Sequence, residues 1–93
     1  MSAPSATERQ LAELLIGALN LEGMDAATLD PQLPLFGTPQ PAGWGLDSID
    51  ALEIALAVQQ TYGVELRAED AKTRSAFASI RTLAAHIDAH RPA

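Results

Sequence analysis

Between Gly23 and Asp47 the chain carries Pro31, Pro34, Pro39 and Pro41, interleaved with Gly37, Gly43 and Gly45. Proline fixes φ and removes an amide donor, and glycine adopts conformations that other residues avoid, so regular structure does not run through such a stretch. A long ordered loop is expected here, with a turn of helix around Asp25 to Leu29. Leu33, Leu35, Phe36 and Trp44 give it apolar anchors with which to lie on a core. A loop this long in a small domain is usually functional or mobile. The regular elements must lie on either side of it.

Upstream, Ser5 and Glu8 have the spacing of a capping box, and Leu11, Leu14, Leu15 and Ala18 recur at i, i+3, i+4 and i+7. This predicts an amphipathic helix ending near Asn20 to Gly23. Downstream, a second helix is expected from about Ser48 to Tyr62, with Gly63 as its left-handed stop. The stretch VELRAEDAKTRSAF suggests a short third helix around Ala68 to Ser75. Ser79 then caps a last helix in which Ile80, Leu83, Ala84 and Ile87 repeat at helical spacing. Aromatic residues make up only 4% of the chain while alanine and leucine dominate, which favours packed helices over a sheet. The expected class is all-α: a four-helix bundle of three main helices and one short helix, with a long first loop. Residues 5–90 are expected to form one domain between flexible ends at 1–4 and 91–93.

A chain of 93 residues removes roughly 60 to 68% of its unfolded surface on folding, which disfavours a deep enzymatic cleft. Without cysteine it has no disulfide, no thiolate nucleophile and no cysteine-based metal site, so any thiol chemistry must be imported. No basic leader followed by an apolar run opens the chain, and no stretch is apolar enough to cross a bilayer; a cytoplasmic monomer is expected. The net charge of −6 is unevenly placed. Nine acids and one base lie between Met1 and Leu66, whereas five bases and three acids follow. An acidic front two-thirds repels nucleic-acid phosphates and steers basic protein surfaces.

The second helix carries two apolar stripes. Ala51, Ile54, Ala55, Val58 and Tyr62 cluster on one side, as a core face does; Ile49, Leu52 and Leu56 lie almost opposite, flanked by Asp50, Glu53 and Gln60. Either the long loop covers the second stripe, with Trp44 or Phe36 supplying the cover, or the stripe is an apolar patch rimmed by carboxylates and suited to transient protein binding. The acidic rim favours the second reading.

At the head of that helix stands Gly45-Leu46-Asp47-Ser48-Ile49-Asp50. With Asp47 as N-cap, Ser48 is the first helical residue and its hydroxyl points outward; the alternative makes Ser48 the cap and Asp47 loop. A helix N-terminus favours an anion beside Ser48, while Asp47 and Asp50 oppose it. Ser48 is not a triad nucleophile, because the two histidines, His86 and His90, lie on the last helix and there is no Gly-x-Ser-x-Gly elbow. The i, i+4 histidines lack a third ligand, and the aspartates do not follow a calcium-loop spacing, so neither a catalytic nor a metal site is expected. Ser48 can still accept a group from an enzyme that brings its own base and metal.

Leu46-Asp47-Ser48-Ile49-Asp50, followed by Leu52-Glu53-Ile54 and closed by Tyr62-Gly63-Val64-Glu65, resembles the acyl carrier proteins, four-helix carriers of 4′-phosphopantetheine. The resemblance runs from about Leu11 to Ile87. It implies that Ser48 is the attachment point, where a phosphopantetheinyl transferase using CoA and Mg²⁺ leaves a phosphodiester and an arm ending in a thiol. It also implies that Asp47 pairs with basic transferase residues, that Asp50 and Glu53 belong to the partner-facing side, and that Ile49, Leu52 and Leu56 are partner contacts; Trp44 is assigned to the same surface. The implied partners are the transferase, an acyl-loading enzyme and ketosynthase-type biosynthetic enzymes. Gln59, Gln60 and Thr61 are neutral where fatty-acid carriers continue an acidic run, and the loop from Thr38 to Trp44 is longer and richer in proline. Ala76 to Leu83 looks more like carriers of polyketide-type or aryl-polyene-type pathways. The readings beside an acyl carrier are a peptidyl carrier for aminoacyl groups, which Asp50 and Glu53 disfavour, and an unmodified helical interaction module.

Overall fold

Helix α1, Ala6–Ala18, begins where the capping box places it. The Glu8 amide donates to Ser5 Oγ at 3.2 Å and the Ser5 amide to Glu8 Oε1 at 2.7 Å. The computed structural model describes residues 5–27, 29–38, 42–67 and 70–91. Leu11, Ala12 and Leu15 form the buried face of α1. The helix stops earlier than the expected Asn20 to Gly23, because Asn20 takes a left-handed φ of 54°. The Leu21 amide then reaches back to the Ile16 carbonyl at 3.0 Å and the Asn20 amide to Gly17 at 3.4 Å, the paired closure that an asparagine can supply in place of glycine.

Helix α2, Ser48–Tyr62, has the expected bounds. Asp47 is its N-cap, and Gly63 (φ 71°) closes it with an amide bond to the Gln59 carbonyl at 3.0 Å. The short helix α3, Ala71–Ala76, starts later than expected. Asp70 fixes that start by accepting from the Lys72 amide at 2.9 Å; Ala68 lies outside the described residues. Helix α4, Ile80–His90, opens on Ser79, whose amide donates to Thr82 Oγ1 and whose Oγ accepts from the Thr82 amide. Thr82 also donates to the Ala76 carbonyl at 2.7 Å, tying the end of α3 to the head of α4.

Helix α1 packs on α2 and α4, and α3 packs on α4. Leu11, Leu15, Ile54, Ile80, Leu83 and Ile87 fill the middle. The architecture is all-α with four helices among the described residues, and none of them is long and apolar enough to cross a membrane.

The connection from α1 to α2 is held by main-chain bonds, as an ordered loop must be to satisfy its own amides. Asp25 makes the expected turn, accepting from the Ala27 amide through its side chain and from the Leu29 amide through its carbonyl. Further on, Pro31 accepts from the Arg81 amide at 2.9 Å and the Leu35 amide donates to Ala78 at 3.1 Å, so the loop lies on the α3–α4 junction. It then doubles back: the Trp44 amide meets the Pro34 carbonyl, Gly45 meets Thr38, and Leu46 meets Leu35. Residues 39–41, which include Pro39 and Pro41, lie outside the described residues, as do the chain ends at 1–4 and 92–93.

One side-chain tie joins the two ends of the sequence. Arg81 Nε donates to Glu8 Oε2 at 3.1 Å, on the carboxylate that also caps α1. Burial pushes the Glu8 carboxyl up, but the Ser5 amide and the Arg81 guanidinium outweigh it and hold the group below its ordinary value.

Two predictions follow from these contacts. A Cβ at Gly43 would sit 2.5 Å from the Thr38 carbonyl oxygen and 2.9 Å from that of Pro34, whereas one at Gly17 meets nothing within 4 Å. Gly43→Ala is therefore expected to lower stability by about 1–3 kcal/mol and Gly17→Ala to raise it by about 0.5–1 kcal/mol, both read by thermal melts followed by circular dichroism. Because the folded Glu8 pKa is depressed, its contribution is present above the unfolded value of about 4.3 and is lost as pH falls through the folded value. The stability advantage of wild type over Glu8→Gln in urea titrations should thus be full at pH 7 and shrink below pH of about 4.

Candidate functional site

The head of α2 is built by a reciprocal pair of aspartates. Asp47 Oδ1 accepts from the Ile49 amide at 3.0 Å and the Asp50 amide at 3.1 Å, and the Asp47 amide donates to Asp50 Oδ2 at 3.0 Å. Capping is thus done by Asp47, and Ser48 is left exposed at the first helical position, outside these bonds. The amides of Ile49 and Asp50, which an incoming anion would otherwise use, are already taken by a carboxylate. The expected attraction of this helix end for an anion is therefore largely satisfied from within.

Ile49, Leu52 and Leu56 are 66%, 69% and 56% exposed. The described part of the loop does not cover them, so the reading in which the loop hides the second stripe does not hold. Spaced at i, i+3 and i+7, they line one side of α2, with Glu53 exposed and Asp50 half-buried at their edge. On the opposite side Ile54 and Val58 are fully buried and Ala51, Ala55 and Tyr62 half-buried.

Trp44 does not belong to that outer surface. It is only 2% exposed and lies in the core. The doubling-back of the loop, with Trp44, Gly45 and Leu46 bonded to Pro34, Thr38 and Leu35, draws the indole inward. Its Nε1 finds no acceptor among the described residues. The assignment of Trp44 as a partner contact is thus corrected to a core anchor of the loop.

Beside Ser48 opens a hollow of about 320 Å³, lined by Phe36 and Leu46 from the loop, Asp47, Ser48 and Ala51 from α2 and its cap, and Arg74 and Phe77 from α3 and its C-cap. Phe36 and Phe77 meet edge to face, with ring centroids 5.9 Å apart at 71°, and so bind the loop to the end of α3. Sequence reasoning missed Phe36, Arg74 and Phe77 as site residues. Arg74 and Phe77 are three positions apart and can share a face, but nothing local in the sequence brings the short helix to the head of α2.

His86 and His90 stack at 4.2 Å, and His90 Nδ1 donates to the His86 carbonyl at 2.8 Å. Among the described residues no group of three or more potential metal ligands gathers.

Asp47 and Ser48 should separate cleanly in stability measurements. Asp47→Ala removes the cap and is expected to cost about 0.5–2 kcal/mol. Ser48→Ala leaves both capping bonds in place and is expected to stay within about 0.5 kcal/mol of wild type by chemical denaturation.

Residues 42–87 match the family model for the phosphopantetheine attachment site. No curated protein and no solved structure matches the chain. The matched segment runs from the end of the loop through α2 and α3 to Ile87 in α4, and it holds the capped helix head, the exposed stripe and most of the hollow. That match identifies residues 42–87 as a phosphopantetheine-binding segment, of the family whose members bear a covalent 4′-phosphopantetheine, and the all-helical fold is consistent with an acyl-carrier-like bundle.

Proposed function

We propose that this protein is an acyl carrier that takes its 4′-phosphopantetheine on Ser48 and serves fatty-acid-like or polyketide-type biosynthesis as a cytoplasmic monomer. The observation that carries the assignment is the division of labour at the head of α2: Asp47 satisfies the amides, and Ser48 presents an exposed hydroxyl that the helix does not need. The other serines of the matched segment are less suited. Ser79 is buried and caps α4, while Ser75 lies within α3 and does not line the hollow.

The residues around Ser48 fit such a group. An exposed hydroxyl stands at the mouth of an apolar hollow, with the Arg74 side chain among the lining residues. The group supplies a terminal thiol, which this cysteine-free chain lacks, and on which carboxylic acids ride as thioesters. During attachment Ser48 Oγ bonds to the phosphorus that bears the pantetheine in CoA, the pyrophosphate linkage breaks, and adenosine 3′,5′-bisphosphate leaves. The hydroxyl proton passes to a base of the transferase, since no histidine lines the hollow beside Ser48.

The exposed side of α2 supports the partner assignment. Ile49, Leu52 and Leu56 offer a small apolar patch, and Asp47, Asp50 and Glu53 edge it with negative charge. A basic rim around an apolar pocket on the transferase, the acyl-loading enzyme or a ketosynthase-type enzyme would complement it. The carboxylates at Asp50 and Glu53 favour acyl over aminoacyl cargo.

The test is the intact mass of the protein before and after incubation with CoA, Mg²⁺ and a broad-specificity phosphopantetheinyl transferase. Wild type is expected to gain one phosphopantetheine and Ser48→Ala none. No gain on folded wild type would make the chain an unmodified helical interaction module, and an equal gain on Ser48→Ala would move the attachment point elsewhere.

A further inference from the structure

The hollow beside Ser48 has a composition that the capped helix head does not explain. It is walled by Phe36, Leu46, Ala51 and Phe77, and its other described lining residues are Asp47, Ser48 and Arg74. Two features limit what can occupy it. Because Ser48 itself lines the hollow, the occupant nearest to hand is whatever is bonded to Ser48 and the few atoms beyond it, not the remote end of a long arm. A volume of about 320 Å³ also lies at the low end for ligand sites, enough for a short segment rather than a loaded chain.

Charge narrows the choice further. A phosphodiester on Ser48 brings a negative charge next to Asp47 and Asp50, where like charges repel. The amides of Ile49 and Asp50 cannot offset this, since Asp47 holds both. Among the described residues that line the hollow, Arg74 alone carries a positive charge, and a guanidinium is the side chain best shaped to meet phosphate oxygens. Beyond the phosphate, the next part of phosphopantetheine is a carbon bearing two methyl groups, a compact branched apolar unit that suits an aromatic and aliphatic wall.

Resting on the reading that Ser48 is modified, we propose that this hollow seats the first part of the arm: Arg74 pairs with the phosphodiester, and Phe36, Leu46 and Phe77 receive the dimethyl carbon. Arg74 is a positioning residue in this arrangement. The near end of the arm is held against α3, and the length beyond it, including the thiol, swings freely to partner enzymes.

The experiment compares apo and holo forms of wild type, Arg74→Gln and Arg74→Lys, each holo form verified by intact mass. In wild-type holo protein, nuclear Overhauser contacts are expected between the arm's methyl protons and the rings of Phe36 and Phe77. The melting temperature should rise by a few degrees from apo to holo in wild type, less in Arg74→Gln, with partial recovery in Arg74→Lys, because a surface ion pair is a modest but measurable term. Each apo form serves as the baseline for its own holo form, so whatever Arg74 contacts in the apo protein cancels from the apo-to-holo difference. A verified holo protein without the methyl-to-ring contacts, or with the same apo-to-holo change in wild type and Arg74→Gln, overturns the proposal while leaving the carrier function standing. Absence of any mass gain overturns both.

Discussion

Two main-chain bonds, from the Arg81 amide to Pro31 and from the Leu35 amide to Ala78, fix the proline-rich loop on the α3–α4 junction. Much of the site follows from that seating. With Leu35 buried at the junction, Phe36 falls against Phe77, and Leu46, bonded back to Leu35, delivers the chain to Asp47 at the head of α2. Arg81 contributes twice, through its amide to the loop and through its guanidinium to Glu8 on α1. Residues far apart in the sequence thereby converge on the first turn of α4, and the position of Ser48 depends on all of them.

Helix α2 has a divided role. Its inner side buries only Ile54 and Val58 completely, while its outer side leaves three large aliphatic residues in water. A helix with so little fully buried surface depends more on its ends. The reciprocal aspartates at its head and the left-handed glycine at its tail supply that support. Exposed apolar area next to carboxylates is a cost in an isolated molecule and is recovered when a complementary surface docks.

What could be read in the sequence was what depends on short-range geometry. Ser5 with Glu8, Gly63 as stop and Ser79 as cap each act over three or four residues, and all form as the spacing implies, whereas Asp47 and Ser48 were both open as the cap of α2 and the structure selects Asp47. The outer stripe of α2 was legible for the same reason, because helical periodicity alone sets which residues share a side. The end of α1 was misplaced because a left-handed asparagine at position 20 is a weaker signal than glycine. The start of α3 was misplaced because Asp70 acts over only two residues in a poorly periodic segment. Trp44 was assigned to the wrong side of the molecule because its direction is set by bonds to Pro34, Thr38 and Leu35, whose partners the sequence does not reveal. The hollow was invisible for a related reason: Phe36, Ser48 and Phe77 are brought together by tertiary contacts alone.

Trp44 is the chain's only tryptophan, and the fold encloses its indole at the point where the loop turns back toward α2. Indole emission responds to polarity and to hydrogen bonding at the ring nitrogen, and here that nitrogen is buried and meets no acceptor among the described residues. The molecule therefore contains its own optical gauge of loop seating. Any lifting of the loop from the α3–α4 junction, by a partner or by solvent, would move a lone fluorophore from a dry environment to a wet one and shift its emission toward the red.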